Sequence, residues 1–382
     1  MKRLLMWPLL AGFLNASSQD VAFARKMVDT LTSSYFWGRG YTNDGMKKAA
    51  DFLAGQFKLY GLTPMDNKSF FQKFSYPVNT FPGRMDLILN GTSLVPGKDF
   101  IAGPEDKGLK AEGILTKKDS AVFIDQENRF IVHLADKLTW SVSSEVANYT
   151  LVDVDKKSLS GEPARFTVNI ENKLINNFKA ANICAVVKGT VKPDSIILIS
   201  AHYDHLGGMG KDTYFPGAND NASGISLLLN LAHYYASHPQ KYTIGFICFA
   251  GEEAGLTGSK YFTENPLVPL SNIRFLLNTD LAGTGEEGIT VVNATEFPKE
   301  FAYLNTVNDA EKLLVKIYPR GKAANSDHYF FTEKGVPAFF FYTMGGIKAY
   351  HDIFDKAQTL PLNEHEDLFK LIVKFNEKLM GE

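Results

Sequence analysis

The sequence predicts an α/β fold: a mostly parallel or mixed central sheet sandwiched by helices, with a β-rich lobe inserted into it. Three observations carry that expectation. From residue 180 onward, short and nearly continuous apolar runs alternate with helix-length stretches, the texture of strands buried on both faces. From Val21 to Leu62 the apolar spacing is mostly helical. Between residues 87 and 179 the pattern breaks into short alternating runs separated by Gly, Asp, Asn and Lys, a β signature. The expected division is therefore an export signal at 1–18, one domain made of 19–86 and 180–382, and a β-rich lobe at 87–179.

The elements follow in order. Met1-Lys2-Arg3 gives a positive start, Leu4 to Leu14 an apolar run, and Asn15-Ala16-Ser17-Ser18 the small residues suited to cleavage. That run is shorter than the roughly 20 residues needed to span a bilayer, so it reads as an export signal, and the mature chain is expected to be secreted or periplasmic with no transmembrane segment. Ala22, Met27, Val28 and Leu31 mark one helix, and Met46 to Tyr60 a second that ends at Gly61. Ala121 to Ile124, Phe130 to Val132 and Phe166 to Ile170 are strands of the lobe. Beyond it, strands are expected at Ile183–Val187, Ile196–Ala201, Thr243–Phe249, Ile273–Thr279, Ile289–Val292, Leu314–Ile317 and Ala338–Tyr342. Helices are expected at Ala222–Ala236, near Gly258–Thr263 and at Glu364–Leu379.

Composition excludes several function classes. Forty Lys and Arg against 42 Asp and Glu leave a net charge of −2, with no surplus to neutralise a phosphate backbone, so nucleic acid is not an expected partner. A 45% apolar share with 29 Phe and 16 Tyr is too rich for a disordered chain. Two cysteines, Cys184 and Cys248, rule out a disulfide scaffold and a Cys-based zinc module. Their pairing is open in an oxidising compartment; because both lie in apolar strand-like runs, buried thiols are the expectation. Any metal must be held by His and carboxylates.

Four strands run into residues of that kind. Ile196 to Ala201 leads to His202-Tyr203-Asp204-His205, Phe246 to Gly251 to Glu252-Glu253, and Phe275 to Thr279 to Asp280. Ala338 to Tyr342 is followed by a Gly-containing stretch ending in Tyr350-His351-Asp352. A polar loop, Gly217 to Gly224, carries Asp220 into the next helix. In parallel α/β sheets chemistry gathers beyond the carboxyl ends of the strands. Hydrolysis at two zincs asks for His nitrogen and carboxylate oxygen on each ion, a carboxylate bridging ions about 3.5–4 Å apart, and a further carboxylate to take a proton from water. His202, Asp220, Glu253, Asp280 and His351 supply two imidazoles and three carboxylates, and Glu252 remains as the base. Neighbours in extended chain point apart, so Glu253 can face metal while Glu252 faces substrate. Taken singly, Asp220 could be a helix cap and any one histidine a satisfied polar group. Their convergence at the ends of one set of strands is what makes a metal site the better reading.

The sequence resembles the zinc aminopeptidase family that includes bacterial leucyl aminopeptidase and aminopeptidase Y, with glutamate carboxypeptidase II and glutaminyl cyclase as relatives. The resemblance rests on Ala201 to His205, Gly217 to Gly224, Ala250 to Leu256, Asn278-Thr279-Asp280, Ser326-Asp327-His328 and Tyr350-His351, and more weakly on Gly38-Arg39-Gly40. It implies a zinc-exopeptidase-like fold and two Zn²⁺ per chain: His202 and Asp280 on one ion, Glu253 and His351 on the other, Asp220 bridging. It further implies Glu252 as general base, Asp204 orienting His202, Tyr350 stabilising an oxyanion and Asp327 bonding within the site. Such insertions are often protease-associated-like, a label the 87–179 segment fits by place only. The function implied is an exported metallo-aminopeptidase acting on peptides with a free N-terminus. A single-zinc glutaminyl cyclase-like enzyme, a carboxypeptidase, and a catalytically dead binding module are the alternatives, the last disfavoured because every ligand position is filled.

Overall fold

The structure, a computed structural model, describes residues 19–381; the export signal expected at 1–18 lies outside them. Nine strands form the central sheet: β1 (Thr63–Pro64), β2 (Phe71–Thr80), β3 (Lys173–Val187), β4 (Lys192–His202), β5 (Tyr242–Phe249), β6 (Ile273–Thr279), β7 (Gly288–Val292), β8 (Ile317–Pro319) and β9 (Ala338–Met344). Their order is β1-β3-β5-β4-β6-β9-β7-β8, with β2 paired to β3. The middle four, β5-β4-β6-β9, are mutually parallel, and antiparallel pairs flank them, so the sheet is mixed. Among the described residues no helix is long and apolar enough to cross a membrane.

Each strand's alternation splits it between two cores. Ile197, Ile199 and Ala201 of β4 point into a cluster beneath α1 (Gln19–Leu31), α2 (Gly45–Leu59), α3 (Gly224–Ser237) and the last helix, His365–Met380. Leu198 between them packs on the other face with Phe249, Phe262 of α4 (Thr257–Glu264) and Phe331. Burying one such side chain contributes roughly 1.5–3 kcal/mol, which is why the helices cannot be shed from either face. Cys184 and Cys248 fall into these opposite clusters and are free thiols.

Parallel register then sets the site. Ser200 pairs with Asn278, which brings His202 level with Asp280, and His202 pairs with Phe249, three residues before Glu252. Side chains distant in sequence are thereby delivered to one edge of the sheet.

Residues 85–170 form two smaller sheets. Met85–Leu89, Thr92–Leu94, Leu109–Ile114 and Arg165–Ile170 make one, and Phe100–Ala102, Thr116–Lys117, Val122–Asp125, Phe130–Ala135 and Thr150–Asp155 the other. Met85–Leu89 alternates buried and exposed, so Leu87 and Leu89 meet Phe123, Phe130, Val132 and Phe166 in a separate core. That core extends onto Leu206, Met209 and Phe215, which follow β4 of the central sheet.

Three sequence expectations move. Strands run through both expected lobe boundaries: Met85–Leu89 crosses 86/87, and β3 crosses 179/180. The first half of β3 is largely polar and solvent-facing, so it reads like the lobe although its chain is continuous with the buried half. The strand expected at Leu314–Ile317 lies at Ile317–Pro319, because the Asn308 side chain takes both backbone groups of Leu314 (N–H to Oδ1 2.9 Å, Nδ2 to the carbonyl 3.0 Å). The helix expected from Ala222 begins at Gly224; Ala218–Ser223 is an irregular wide turn in which Asp220 leaves the helical region (φ −105°, ψ 98°).

Candidate metal centre

The Asp220 turn is held from two sides by groups that bond backbone. The buried Asp355 carboxylate accepts the N–H groups of Asn219 (2.8 and 3.0 Å) and Asp220 (3.0 Å). On the other side lies Arg39, fully buried, which donates to the carbonyls of Tyr203 (2.8 Å), Leu31 (3.2 Å), Pro216 (2.7 Å), Gly217 (2.8 Å) and Asp220 (3.2 Å). Burial pushes the guanidinium down to about 10 against the pull of Asp220, Asp355, Asp204 and Glu253. Gly40 is required beside it, since a Cβ there would overlap the Gly207 backbone.

The five expected ligands come together. His202 Nε2 lies 3.3 Å from Asp280 Oδ2 and 3.4 Å from Asp220 Oδ1. His351 Nε2 lies 3.0 Å from Asp220 Oδ2 and 3.2 Å from Glu253 Oε2. Asp220 thus turns one oxygen to each imidazole. Two groups can offer one ligand atom per residue with all atoms within 4.8 Å of one another: His202 with Asp220 and Glu253, and His202 with Glu252 and Asp280. The neighbouring glutamates therefore face different partners.

Charge is distributed unevenly across the cluster. Burial and the carboxylates of Glu253, Asp327 and Asp280 push Glu252 well above the usual range, against the His202 ring. Burial opposes the charge of Glu253 as well, yet His351 and His205 outweigh it and hold that carboxyl well below. Burial alone would lower the His351 ring, but Glu253 and Asp220 raise it to about 11. The His202 ring is likewise raised by Asp280, Glu252 and Asp220 against its burial. Without a metal, these imidazoles balance the carboxylates by holding protons.

Other expected residues sit differently. Asp204 meets His202 Nδ1 through its backbone carbonyl (3.2 Å), its carboxylate being 3.8 Å away. That carboxylate instead accepts the N–H groups of Glu252 (3.1 Å) and Glu253 (3.3 Å), fixing the turn that aims both glutamates. Tyr350 is 43% exposed and lies flat against the His351 ring, centroids 4.0 Å apart. Asp327 is fully buried and neither oxygen has a hydrogen-bond partner; burial raises it to about 6. His328 packs against Phe340, away from the centre. Sequence reasoning missed His205, whose Nδ1 is 2.8 Å from Glu253 Oε1, and Asp355. His205 lies three residues after His202 in a stretch already singled out, so spacing was the available signal; Asp355 offered none.

A metal fits what is present. His202 Nε2 and Asp220 Oδ1 are buried without a hydrogen-bond partner although they face each other at 3.4 Å, so both keep a lone-pair direction that a cation can take once the ring gives up its proton. The donors are imidazole nitrogen and carboxylate oxygen with no sulfur, a set suited to zinc.

The fold and this centre define an α/β protein with a metal-competent cluster at its strand ends. The model of Peptidase family M28 matches residues 182–376, and the chain belongs to that family. Aminopeptidase YwaD of Bacillus subtilis (strain 168) is 27% identical over 252 residues, covering 63% of this chain and 54% of that protein. A probable zinc metalloprotease of Pyricularia oryzae is 38% identical over 114 residues, 29% of this chain and 23% of its own. The chain thus matches about half the length of the first relative and a smaller share of the second. Among solved structures, a peptidase M28 precursor from Shewanella amazonensis SB2B superposes with a TM-score of 0.71 at 15% identity, covering 95% of this chain and 94% of that one. BSAP, a zinc aminopeptidase from Bacillus subtilis, gives 0.69 at 18% identity over 94% and 95%. These likenesses show the fold.

Proposed function

We propose that the chain is an exported aminopeptidase that holds two zinc ions and removes N-terminal residues from peptides, with Glu252 as general base. The observation that carries the reading is Asp220, which presents Oδ1 to His202 and Oδ2 to His351 and so stands between two imidazole–carboxylate pairs. His202 and Asp280 would hold one ion, Glu253 and His351 the other. Ions there would acidify water and polarise the scissile carbonyl. Glu252 takes the proton of the attacking water and returns it to the leaving amine. Tyr350, partly exposed and stacked on the His351 ring, would donate to the developing oxyanion. The printed names of the relatives, aminopeptidase and zinc metalloprotease, support this class of substrate and metal. The basic start and apolar run within 1–18 support export, and the β-rich segment expected at 87–179 reads as an insertion whose core is shared with Leu206, Met209 and Phe215.

Glu252→Gln tests the assignment of the base. The variant should keep both zincs while kcat on aminoacyl amides falls by about 10²–10⁴. Ordinary turnover with zinc in place would remove Glu252 from that role.

A further inference from the structure

His351 differs from the other cluster histidines in what holds its second ring nitrogen. Nδ1 of His202 meets Asp204 and Nδ1 of His205 meets Glu253, both on the catalytic side. Nδ1 of His351 lies 2.8 Å from the carbonyl oxygen of Trp140, in the segment that follows the last strand of the lobe's central hairpin. The contact is returned, for the Trp140 N–H donates to the His351 carbonyl at 2.9 Å. Two residues from different lobes thus close a backbone-and-ring pair beside the metal centre.

The segment is pinned on both sides. The Trp140 indole is buried, donates Nε1–H to the Ala102 carbonyl (2.9 Å) inside the lobe, and stacks on Phe215 of the catalytic side with centroids 4.7 Å apart. Three residues earlier, Lys137 Nζ donates to the Lys348 carbonyl (2.9 Å) and lies 3.4 Å from Asp352, spanning the turn that carries His351. His351 itself sits at φ 52°, in the left-handed region that few residues with a side chain adopt.

We infer that residues 137–140 of the β-rich lobe are a positioning strap for His351. The Trp140 carbonyl accepts a hydrogen bond from the His351 Nδ1–H, fixes the ring's orientation, and leaves Nε2 aimed at Asp220 and Glu253. A carbonyl is a suitable partner because it only accepts, so it selects the tautomer whose Nε2 lone pair is free for a cation. The lobe is thereby part of the metal centre. The inference rests on the two-zinc reading above.

The test is zinc affinity, read by competition with a chromophoric chelator, in the full chain. Trp140→Ala removes the indole that anchors the strap and should weaken one zinc by about 10–100-fold, the loss typical of an outer partner of a ligand. In a His351→Ala background the same change should have no further effect, since the strap acts through that ring. Phe130→Leu, a smaller change in the lobe core that leaves every residue of the strap in place, should leave both affinities unchanged. Should Trp140→Ala fail to fold, Lys137→Ala loosens the strap from the surface and is expected to weaken the same zinc by a smaller factor, again only when His351 is present. Unchanged affinity, or equal losses with and without His351, would reduce Trp140 to a packing residue. Wild-type protein that binds no zinc would overturn the two-zinc reading itself, a distinct result.

Discussion

The two lobes treat buried polar groups in opposite ways. In the β-rich lobe each is partnered: Asp106 accepts the N–H groups of Gly103 (2.9 Å) and Leu151 (2.7 Å), and Thr150 donates to the Lys107 carbonyl (2.8 Å). Among the described residues, no buried side-chain nitrogen or oxygen between 85 and 170 lacks a hydrogen bond. The catalytic side leaves His202 Nε2, His205 Nε2, Asp220 Oδ1 and both oxygens of Asp327 unsatisfied. Each such group costs roughly 1–3 kcal/mol, more when charged. Tyr41, Asn293, His328, His365 and Asn376 leave other such atoms outside the β-rich lobe, so it is the gathering of five of them around the His–carboxylate cluster, not their presence alone, that marks the functional end of this molecule.

The largest effect on that contrast should come from the lobe that carries no ligands. Phe130→Ala empties a fully buried position and should cost about 3–5 kcal/mol in urea unfolding. If the lobe's core serves only itself and the strap, zinc affinity of the folded variant stays within a few-fold of wild type. A large loss of both would erase the distinction between the two regions.

Next in size is the coupling of zinc to protons. His351 is raised to about 11, so the metal-free ring carries a proton that Nε2 must release before it can bind a cation. Affinity should rise about tenfold per pH unit for each proton released near neutrality. Calorimetry in buffers of different ionisation enthalpy reads the number directly, and zero protons would contradict the charge balance described here. The sign for the metal-free fold is the reverse. A ring raised in the folded state contributes stability that is complete below its ordinary 6.5 and is lost as pH rises through about 11. Urea midpoints of zinc-free protein should accordingly fall on the alkaline side.

The smallest effect belongs to a histidine that resembles the cluster only in its chemistry. His133 lies 2.7 Å from Asp153 on the lobe's surface, partly solvated. His133→Gln should shift stability by less than about 1 kcal/mol and leave zinc uptake untouched. A measurable drop in zinc content would mean that the lobe has a metal site of its own.

What the sequence disclosed and what it hid divide along the same physical line. Ile196 to Ala201, Thr243 to Phe249 and Ile273 to Thr279 were legible as strands because a strand buried on both faces has little room for polar residues. His202, Glu252, Glu253 and Asp280 stood out because they follow such runs directly. Asp355 and Trp140 did not, and Gly38-Arg39-Gly40 stood out only as part of the resemblance, since these residues act on or through backbone groups that every residue possesses. The lobe boundaries were blurred because β3 changes from solvent-facing to buried along one unbroken strand. His205 lies in the same stretch as His202, where spacing flags it, but its partner Glu253 is set only once β4 and β5 lie side by side.

Crystals grown with zinc and measured at the zinc absorption edge test the central claim most directly. The account predicts two anomalous peaks per chain, one among His202, Asp280 and Asp220 and one among Asp220, Glu253 and His351. Peaks confined to the surface, or a single ion that leaves Asp220 bound through one oxygen, would contradict it.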